Sequence, residues 1–334
     1  MSNPVALDQL VPKNLTKFFV ESPRLFRTSK NIQILVLRQT QDFTIFRTEE
    51  TRELNLVTLP KSALDKTPTA KVVMLASKQK APENRLYHNL LRTAAEEVGY
   101  KLDDDLRQCE LKDNLCQKCP RCILFGSVSV EKGGQERWNI KHRIEYSSAY
   151  SVEPYEEIYE ILTFNAVDSV TQSTGQALGY TENIQPLTTL PSIVTLNSVT
   201  LEEFIAYLKT LMACKSYGAE TRVKGDMVNH IVGIVGSYDE IITPLEYNLE
   251  LSAVKLGEVD PLEKTAEILE KYKKFSAFSN DVVLLSRKEL GSFIERVAEF
   301  QYSKPFIEKI YQDAVSLGKN LSEYGPKPKA KRKQ

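Results

Sequence analysis

Residues 71–99 read KVVMLASKQKAPENRLYHNLLRTAAEEVG, and the spacing of the apolar residues changes partway along. KVVMLA (71–76) is a short, continuous apolar run with two valines, the pattern of a buried strand. Pro82 suits a first helical turn, and from there Leu86, Leu90, Ala94 and Val98 recur every four residues up to Gly99, which predicts a helix. Upstream, IQILVL (32–37) and the alternating Phe43 and Ile45 predict two strands joined by a polar turn over Gln39 to Asp42. LNLVTL (54–59) and the 71–76 run continue that sheet. Downstream, Thr200 with Glu203 is a capping-box pattern ahead of Phe204, Ile205, Leu208, Leu211 and Met212, a helix closed by Gly218. Ser286 with Glu289 repeats it before Leu290, Phe293, Ile294 and Val297, and a last helix runs from about Pro305 to Leu321. Strands and helices interleave without regular alternation, so the fold class is α+β with insertions and not a doubly wound sheet.

The 334 residues are 42% hydrophobic and 26% charged, an ordinary globular composition long enough for one large domain or two smaller ones. MSNPVALDQLVPKNL has no basic leader ahead of an apolar core, and runs such as Val72 to Ala76 are too short to span a bilayer. The expected location is the cytoplasm, with no membrane partner. Formal net charge is zero, yet the charges are segregated. Lys13, Lys17, Arg24, Arg27 and Lys30 face one acid, Glu21; the tail after Tyr324 carries Lys327, Lys329, Lys331, Arg332 and Lys333 with no acid. Residues 239–270 hold nine acids against two bases. Such a chain suits grip on a polyanion with one face and on a like subunit with another, while a solvated surface of mixed sign is the plainer account.

Two stretches stand outside the core pattern. Residues 163–200 hold twelve Ser or Thr with two acids and no base, the composition of a long polar excursion with room for a protruding hairpin. Residues 109–126, CELKDNLCQKCPRCILFG, hold four of the five cysteines in the spacing C-x6-C-x2-C-x2-C. Two chelating C-x2-C steps bring Cys109, Cys116, Cys119 and Cys122 within reach of one ion, and in a reducing compartment clustered thiols more often hold metal than form disulfides. Four protein ligands close the coordination shell, so zinc here serves folding and not catalysis. The run also resembles a ferredoxin-type iron–sulfur pattern, but it lacks the terminal Cys-Pro step and is flanked by Lys112, Asp113, Lys118 and Arg121. Free thiols in a turn are the remaining alternative. Cys214 is expected in the core.

Only three histidines are present. In WNIKHRIEY (138–146), Trp138, Ile140, His142 and Ile144 share one face of a predicted strand, with Lys141 and Arg143 on the other. His142 is then a buried side chain or a fourth metal ligand in place of Cys109. His88 is expected on the surface of the first helix, and His230 follows Lys224, Gly225 and Asn229 before the run IVGIV. No G-x-S-x-G, H-E-x-x-H, Walker or dinucleotide motif occurs, so no enzyme class gains support.

CPRCILFGSVS, together with TRVKGDMVNHIVGIV at 221–235, closely resembles the backbone, CRISPR RNA-binding subunit of the type I-D CRISPR surveillance complex (Cascade), within the repeat-associated RNA-binding protein superfamily. The resemblance implies a modified RNA-recognition-motif (ferredoxin-like) palm over 1–100 and 201–324, a zinc-containing insertion with following strands over 101–162, a thumb over 163–200 and a disordered basic tail over 325–334. It implies a ribonucleoprotein filament for antiviral defence. In it, copies of the chain stack head to tail along one CRISPR RNA beside other Cascade subunits, and the guide pairs with target DNA or RNA. The acidic 239–270 segment would face a neighbouring copy. Presenting a guide requires holding phosphates and leaving base edges free, which suits Arg24, Arg27, Lys141, Arg143, Arg222 and Lys224 with Asn229 and His230 beside them. Tyr146, Tyr150, Tyr155 and Tyr159 are base-stacking or core residues. Fewer glycines precede IVGIV than the family pattern has. Related type III subunits cut RNA with an Asp after the first strand, a place that Asp42 occupies here; a turn Asp needs no catalytic explanation, and the type I resemblance implies a non-catalytic subunit.

Overall fold

A computed structural model describes residues 7–47, 53–110, 115–128, 139–167, 174–218 and 224–324. Its strands are β1 (Asn31–Thr40), β2 (Leu56–Pro60), β3 (Pro68–Met74), β4 (Ile144–Tyr146), β5 (Ala149–Tyr150), β6 (Tyr159–Val167), β7 (Thr174–Ile184), β8 (Thr189–Asn197), β9 (Met227–Ser237) and β10 (Val283–Leu284). Its helices are α1 (Leu7–Leu10), α2 (Ala76–Glu97), α3 (Asp104–Arg107), α4 (Pro120–Phe125), α5 (Tyr155–Ile158), α6 (Leu201–Ala213), α7 (Pro244–Leu251), α8 (Pro261–Lys273), α9 (Arg287–Glu299) and α10 (Lys304–Tyr324). The architecture is α+β with antiparallel sheets, as the interleaved pattern predicts.

β1 runs through the middle of a five-stranded sheet of order β10-β9-β1-β8-β4. Ile32, Ile34 and Val36 enter a core shared with Tyr87 of α2 and with Phe204 and Leu208 of α6. Leu35 and Leu37 enter a second core with Ile193, Tyr247 of α7 and Ile268 of α8. Helices therefore cover both faces, and a strand covered on both faces reads as a continuous apolar run. Each of these side chains contributes roughly 1.5–3 kcal/mol on burial. Gln33, fully buried among them, keeps its place by bonding chain instead of water: its amide nitrogen donates to the Ile242 carbonyl at 2.9 Å and its oxygen accepts from the Ile241 N–H at 2.7 Å.

Tertiary contacts redraw several sequence-based boundaries. β2 and β3 do not extend the β1 sheet but form a second sheet, β2-β3-β5. Phe43 and Ile45 belong to no strand; Thr44 makes one isolated bridge to Ile184. α2 begins at Ala76, so Pro82 lies inside it. The lost N–H is tolerated because the first turns are pinned elsewhere: buried Gln79 donates to Ser147 O at 2.9 Å and Met74 O at 3.2 Å. The buried residues of α2 are Gln79, Glu83, Asn84, Tyr87, His88, Leu91, Ala94 and Ala95, so that of the expected stripe Ala94 is buried while Leu86, Leu90 and Val98 are only partly so. The 163–200 stretch is not one excursion. β6 and β7 form a two-stranded hairpin over 159–184, whereas β8, with the same polar composition, is a buried strand of the main sheet. β1 pairs with it along its whole length and β4 over 194–196, and the Ser192 hydroxyl accepts from Arg38. Trp138, residues 168–173 and the basic tail at 325–334 lie outside the described residues.

Thr200 and Ser286 cap α6 and α9 with complete capping boxes, and Thr243 does the same for α7. Among the described residues no helix is long and apolar enough to cross a membrane.

Lys71 of β3 is fully buried and donates to Asn248 Oδ1 at 3.1 Å, Ser252 Oγ at 2.7 Å and Val152 O at 3.3 Å. Burial lowers its pKa to about 8, against the opposing pull of Glu153. Between pH 8 and 10.5 the unfolded chain therefore holds a proton that the folded chain has released, so stability rises with pH. From pH 8 to 9.5 wild type should gain about 1.5 kcal/mol relative to Lys71→Met in urea titrations. Parallel pH profiles would refute the shift.

Candidate functional site

Cys109 follows α3, Cys116 precedes a left-handed turn at Gln117 (φ 59°), Cys119 is the N-cap of α4 and Cys122 lies in its first turn. The Cys119 sulfur accepts from the Cys122 N–H at 3.4 Å, and the Cys109 sulfur from the Cys116 N–H at 3.4 Å. Cys109 lies 3.5 Å from Cys122 and 3.7 Å from Cys119, sulfur to sulfur, and all four sulfurs fall within 4.8 Å of one another. Metal–sulfur bonds of about 2.3 Å in a tetrahedron place sulfurs about 3.8 Å apart, so the group is close to what a single ion requires and too tight for a multi-iron cluster. The four cysteines thus form a group that could hold a metal ion, and His142 is not part of it. Their surroundings correct the flanking-charge argument, since Cys109, Cys119 and Cys122 are buried in the main core with Tyr87, Phe125 and Tyr311. Apolar shelter is present; ligand spacing, not lack of shelter, favours a single ion.

The chain also orients the ligand loop from behind. His88 Nε2 lies 3.1 Å from the Cys109 carbonyl oxygen, and Arg92 Nη2 donates to that oxygen at 2.8 Å. His88 is 5% exposed and not a surface residue. Burial, with help from Arg92 and Arg121, lowers its pKa to about 4 and keeps it neutral at neutral pH.

The phosphate candidates divide. Arg24, Lys141, Lys224 and His230 are exposed. Half-buried Arg27 donates to the Lys141 carbonyl at 2.9 Å and the His142 carbonyl at 2.6 Å and lies 3.7 Å from Glu145, which holds the Arg24–Arg27 loop beside Lys141. Arg143 does not face solvent: it is buried, paired with Glu203, and donates to the Ser198 carbonyl at 2.9 Å. That pairing corrects its assignment to phosphate, because residues 139–143 are not a regular strand and the alternation does not hold. Lys224 pairs with Asp226 at 2.5 Å. Asn229 is also spoken for, its amide nitrogen donating to Leu211 O at 2.8 Å and Cys214 O at 3.1 Å. Arg222 lies outside the described residues. The Lys141 group adjoins β4 near the start of β1, while His230 pairs with Leu37 near its end. At strand spacings of about 4.8 Å and 3.3 Å per residue these groups sit at opposite corners of the sheet, about 20 Å apart.

Of the tyrosines, Tyr146 is committed to the core through its hydroxyl bond to Glu83 at 2.7 Å. Tyr155 and Tyr159 stack on one another at 4.6 Å at the base of the hairpin, with Tyr159 at the surface.

Sequence reading missed a buried polar knot under the β1 sheet. Arg38 and Glu83, both 0% exposed, pair at 2.7 Å. Glu83 also accepts from Tyr207 at 2.6 Å and Tyr217 at 2.7 Å, and Arg38 donates to Ser192 at 2.8 Å and Asn229 at 3.0 Å. Burial works against the charge on Arg38, but Glu83 outweighs it and raises its pKa. A charged residue at the end of an apolar run was the one available signal. Behind the site, Gly225 (φ 64°) cannot be replaced, because a Cβ there would sit 1.8 Å from the Tyr217 carbonyl.

These features define an α+β protein with a five-stranded antiparallel main sheet and a compact four-cysteine cluster. The sequence profile of the Csc2 CRISPR family matches residues 17–312, and the chain belongs to that family. No curated protein matches the chain. The crystal structure of Thermofilum pendens Csc2 is similar at 17% identity and TM-score 0.63, covering 95% of this chain and 98% of that one, which shows a shared fold. A "CRISPR RNA-guided surveillance complex, pre-nicking" matches at 12% identity and TM-score 0.47 over 85% of this chain and 99% of that one. A "Type IV-B CRISPR Complex" chain matches at 15% and 0.41 over 59% and 89%.

Proposed function

We propose that the chain is a non-catalytic backbone subunit of a type I-D CRISPR (Cascade) complex in the cytoplasm, holding CRISPR RNA by its sugar-phosphate side in a multi-copy filament. The family match over most of the chain carries this reading. In it, the five-stranded sheet with α2 and α6 is the RRM-like palm, the β6–β7 hairpin is the thumb, and Cys109, Cys116, Cys119 and Cys122 hold a structural zinc. Phosphates are held by exposed Arg24 and Lys141 at one corner and by Lys224 and His230 at the other, with Arg27 positioning the first pair. Arg222 remains a candidate on sequence grounds. A guide laid across both corners keeps its base edges free, because backbone contacts position without reading sequence.

Replacing both Arg24 and Lys141 by glutamate should weaken RNA binding at least tenfold. It should also reduce the slope of log affinity against log salt by about 1.4, since each single-strand phosphate contact contributes about 0.7. Arg143→Glu should instead unfold the protein. An unchanged salt slope in a folded double variant would overturn the phosphate assignment.

A further inference from the structure

The end of α8 and the loop after it read KYKKFSAFSND (271–281) and put two phenylalanines on the surface, Phe275 at 77% exposure and Phe278 at 48%. The loop is tied down. Both carboxylate oxygens of Asp239 hold it, accepting from Ser276 Oγ at 2.8 Å and from the Ala277 N–H at 3.0 Å, and Ser276 Oγ in turn accepts from the Phe278 N–H at 3.0 Å. Each exposed ring leans on an anchored tyrosine. Phe278 stands edge-on to Tyr238, centroids 5.7 Å apart at 80°, and Tyr238 packs on buried Phe18. Phe275 stands at 74° to Tyr272, whose hydroxyl donates to Glu250 at 3.2 Å. The segments that build this patch, 13–18, 237–240 and 271–281, are described throughout.

Lysines flank the rings. Lys273 and Lys274 close α8 and have no ion-pair partner among the described residues. On the other side Lys17 lies 5.0 Å from the Phe18 ring and 5.9 Å from the Tyr238 ring, and pairs with Asp281 at 3.0 Å. The helix dipole accounts for lysines in the last turn of α8, but not for two phenylalanines held open beside them. Protein interfaces favour aromatic residues but disfavour lysine, and the two phenylalanines are the only large apolar side chains that these segments expose. Open rings beside ammonium groups have both parts of a grip on single-stranded nucleic acid, since rings stack on base faces and lysines meet phosphates.

The patch lies at a third corner of the main sheet. Tyr238 follows the end of β9, where Ser237 pairs with Asn31; from there His230 is about 23 Å back along the strand and β4 is about 14 Å across the sheet. We propose that Phe275 and Phe278 form a stacking platform for single-stranded nucleic acid, with Lys273, Lys274 and Lys17 on its phosphates. Stacking and ion pairing use only the base face and the phosphate, so the platform takes a DNA strand as readily as RNA and has no base preference. It is separate from both corners assigned to the guide and does not rest on that reading.

The test is fluorescence-anisotropy titration of the full chain with oligo(dT) and with an abasic deoxyribose-phosphate strand of equal length. Phe275→Leu with Phe278→Leu, which keeps apolar bulk and removes the rings, should bind oligo(dT) at least tenfold more weakly than wild type, with an unchanged salt slope and unchanged affinity for the abasic strand. Phe275→Leu alone, at the more exposed position, should melt with wild type and show part of that loss. Lys273→Ala with Lys274→Ala should instead lower the slope of log affinity against log salt by about 1.4, at about 0.7 per phosphate contact. The same losses are expected in a chain that also carries Arg24→Glu and Lys141→Glu, so failure of the phosphate reading and failure of this one are distinguishable. No oligo(dT) binding by folded wild type, full oligo(dT) affinity in the folded leucine variants, or an equal loss for the abasic strand overturns the proposal. So does weaker self-association of the leucine variants in sedimentation with DNA affinity unchanged, which would make the patch a contact between copies.

Discussion

Glu83→Ala is expected to destabilise the chain by about 3–5 kcal/mol, the cost of removing one partner from a buried ion pair. Glu83 has no contact with solvent, faces Arg38 at 2.7 Å and accepts hydrogen bonds from the hydroxyls of Tyr146, Tyr207 and Tyr217. Without it, a guanidinium remains buried with no counter-charge and three hydroxyls lose an acceptor. Domains are stable by only about 5–15 kcal/mol, so much of the margin goes with one carboxylate. The knot also ties α2 (Glu83), β1 (Arg38), α6 (Tyr207), β8 (Ser192) and β9 (Asn229) together, so its loss should lower cooperativity as well as the urea midpoint. Glu83→Gln, which keeps an acceptor and volume but no charge, should fall between alanine and wild type. A midpoint within about 1 kcal/mol of wild type for Glu83→Ala would mean that water compensates the knot.

Cys119→Ser should have the second large effect. Cys119 is both ligand candidate and N-cap of α4, and its sulfur accepts the Cys122 N–H. A serine hydroxyl can still cap, so the substitution isolates the metal role from the capping role. Structural zinc binding amounts to about 10–16 kcal/mol, and because the site is not preformed in the unfolded chain this becomes folding free energy. Elemental analysis of wild type should give one zinc per chain. The variant should hold little or none, melt well below wild type, and match wild type treated with a chelator. Since α10 packs on this loop, with a Cβ at Gly318 only 2.8 Å from the Gln117 carbonyl, the loss should reach the C-terminal helix. Full stability in the absence of any metal would reduce the cysteines to packed thiols, and iron in place of zinc would correct the ion but not the site.

Local patterns were readable where the chemistry that sets them is local. The capping boxes at Thr200 and Ser286, the helix over 201–213, the apolar run that became β1 and the chelating cysteine spacing all depend on residues a few positions apart. Family membership was legible for the same reason, in a cysteine motif and a glycine-containing loop. The mistakes share one cause as well. α2 starts ahead of its proline because Gln79 is held by Ser147, 68 residues away. β8 is a core strand despite its hydroxyls because β1 and β4 pair with it. Arg143 is buried because Glu203, already spent on the α6 cap, is also its counter-ion.

By itself, then, the sequence determined the α+β class, the family and the clustering of four cysteines within one short stretch, since these follow from spacing and composition. Only the tertiary structure decided which charges are free to meet a polyanion. Lys224 has a partner two residues away in Asp226, but the availability of Arg143 depends on Glu203, brought in from a distant segment that no local pattern reveals.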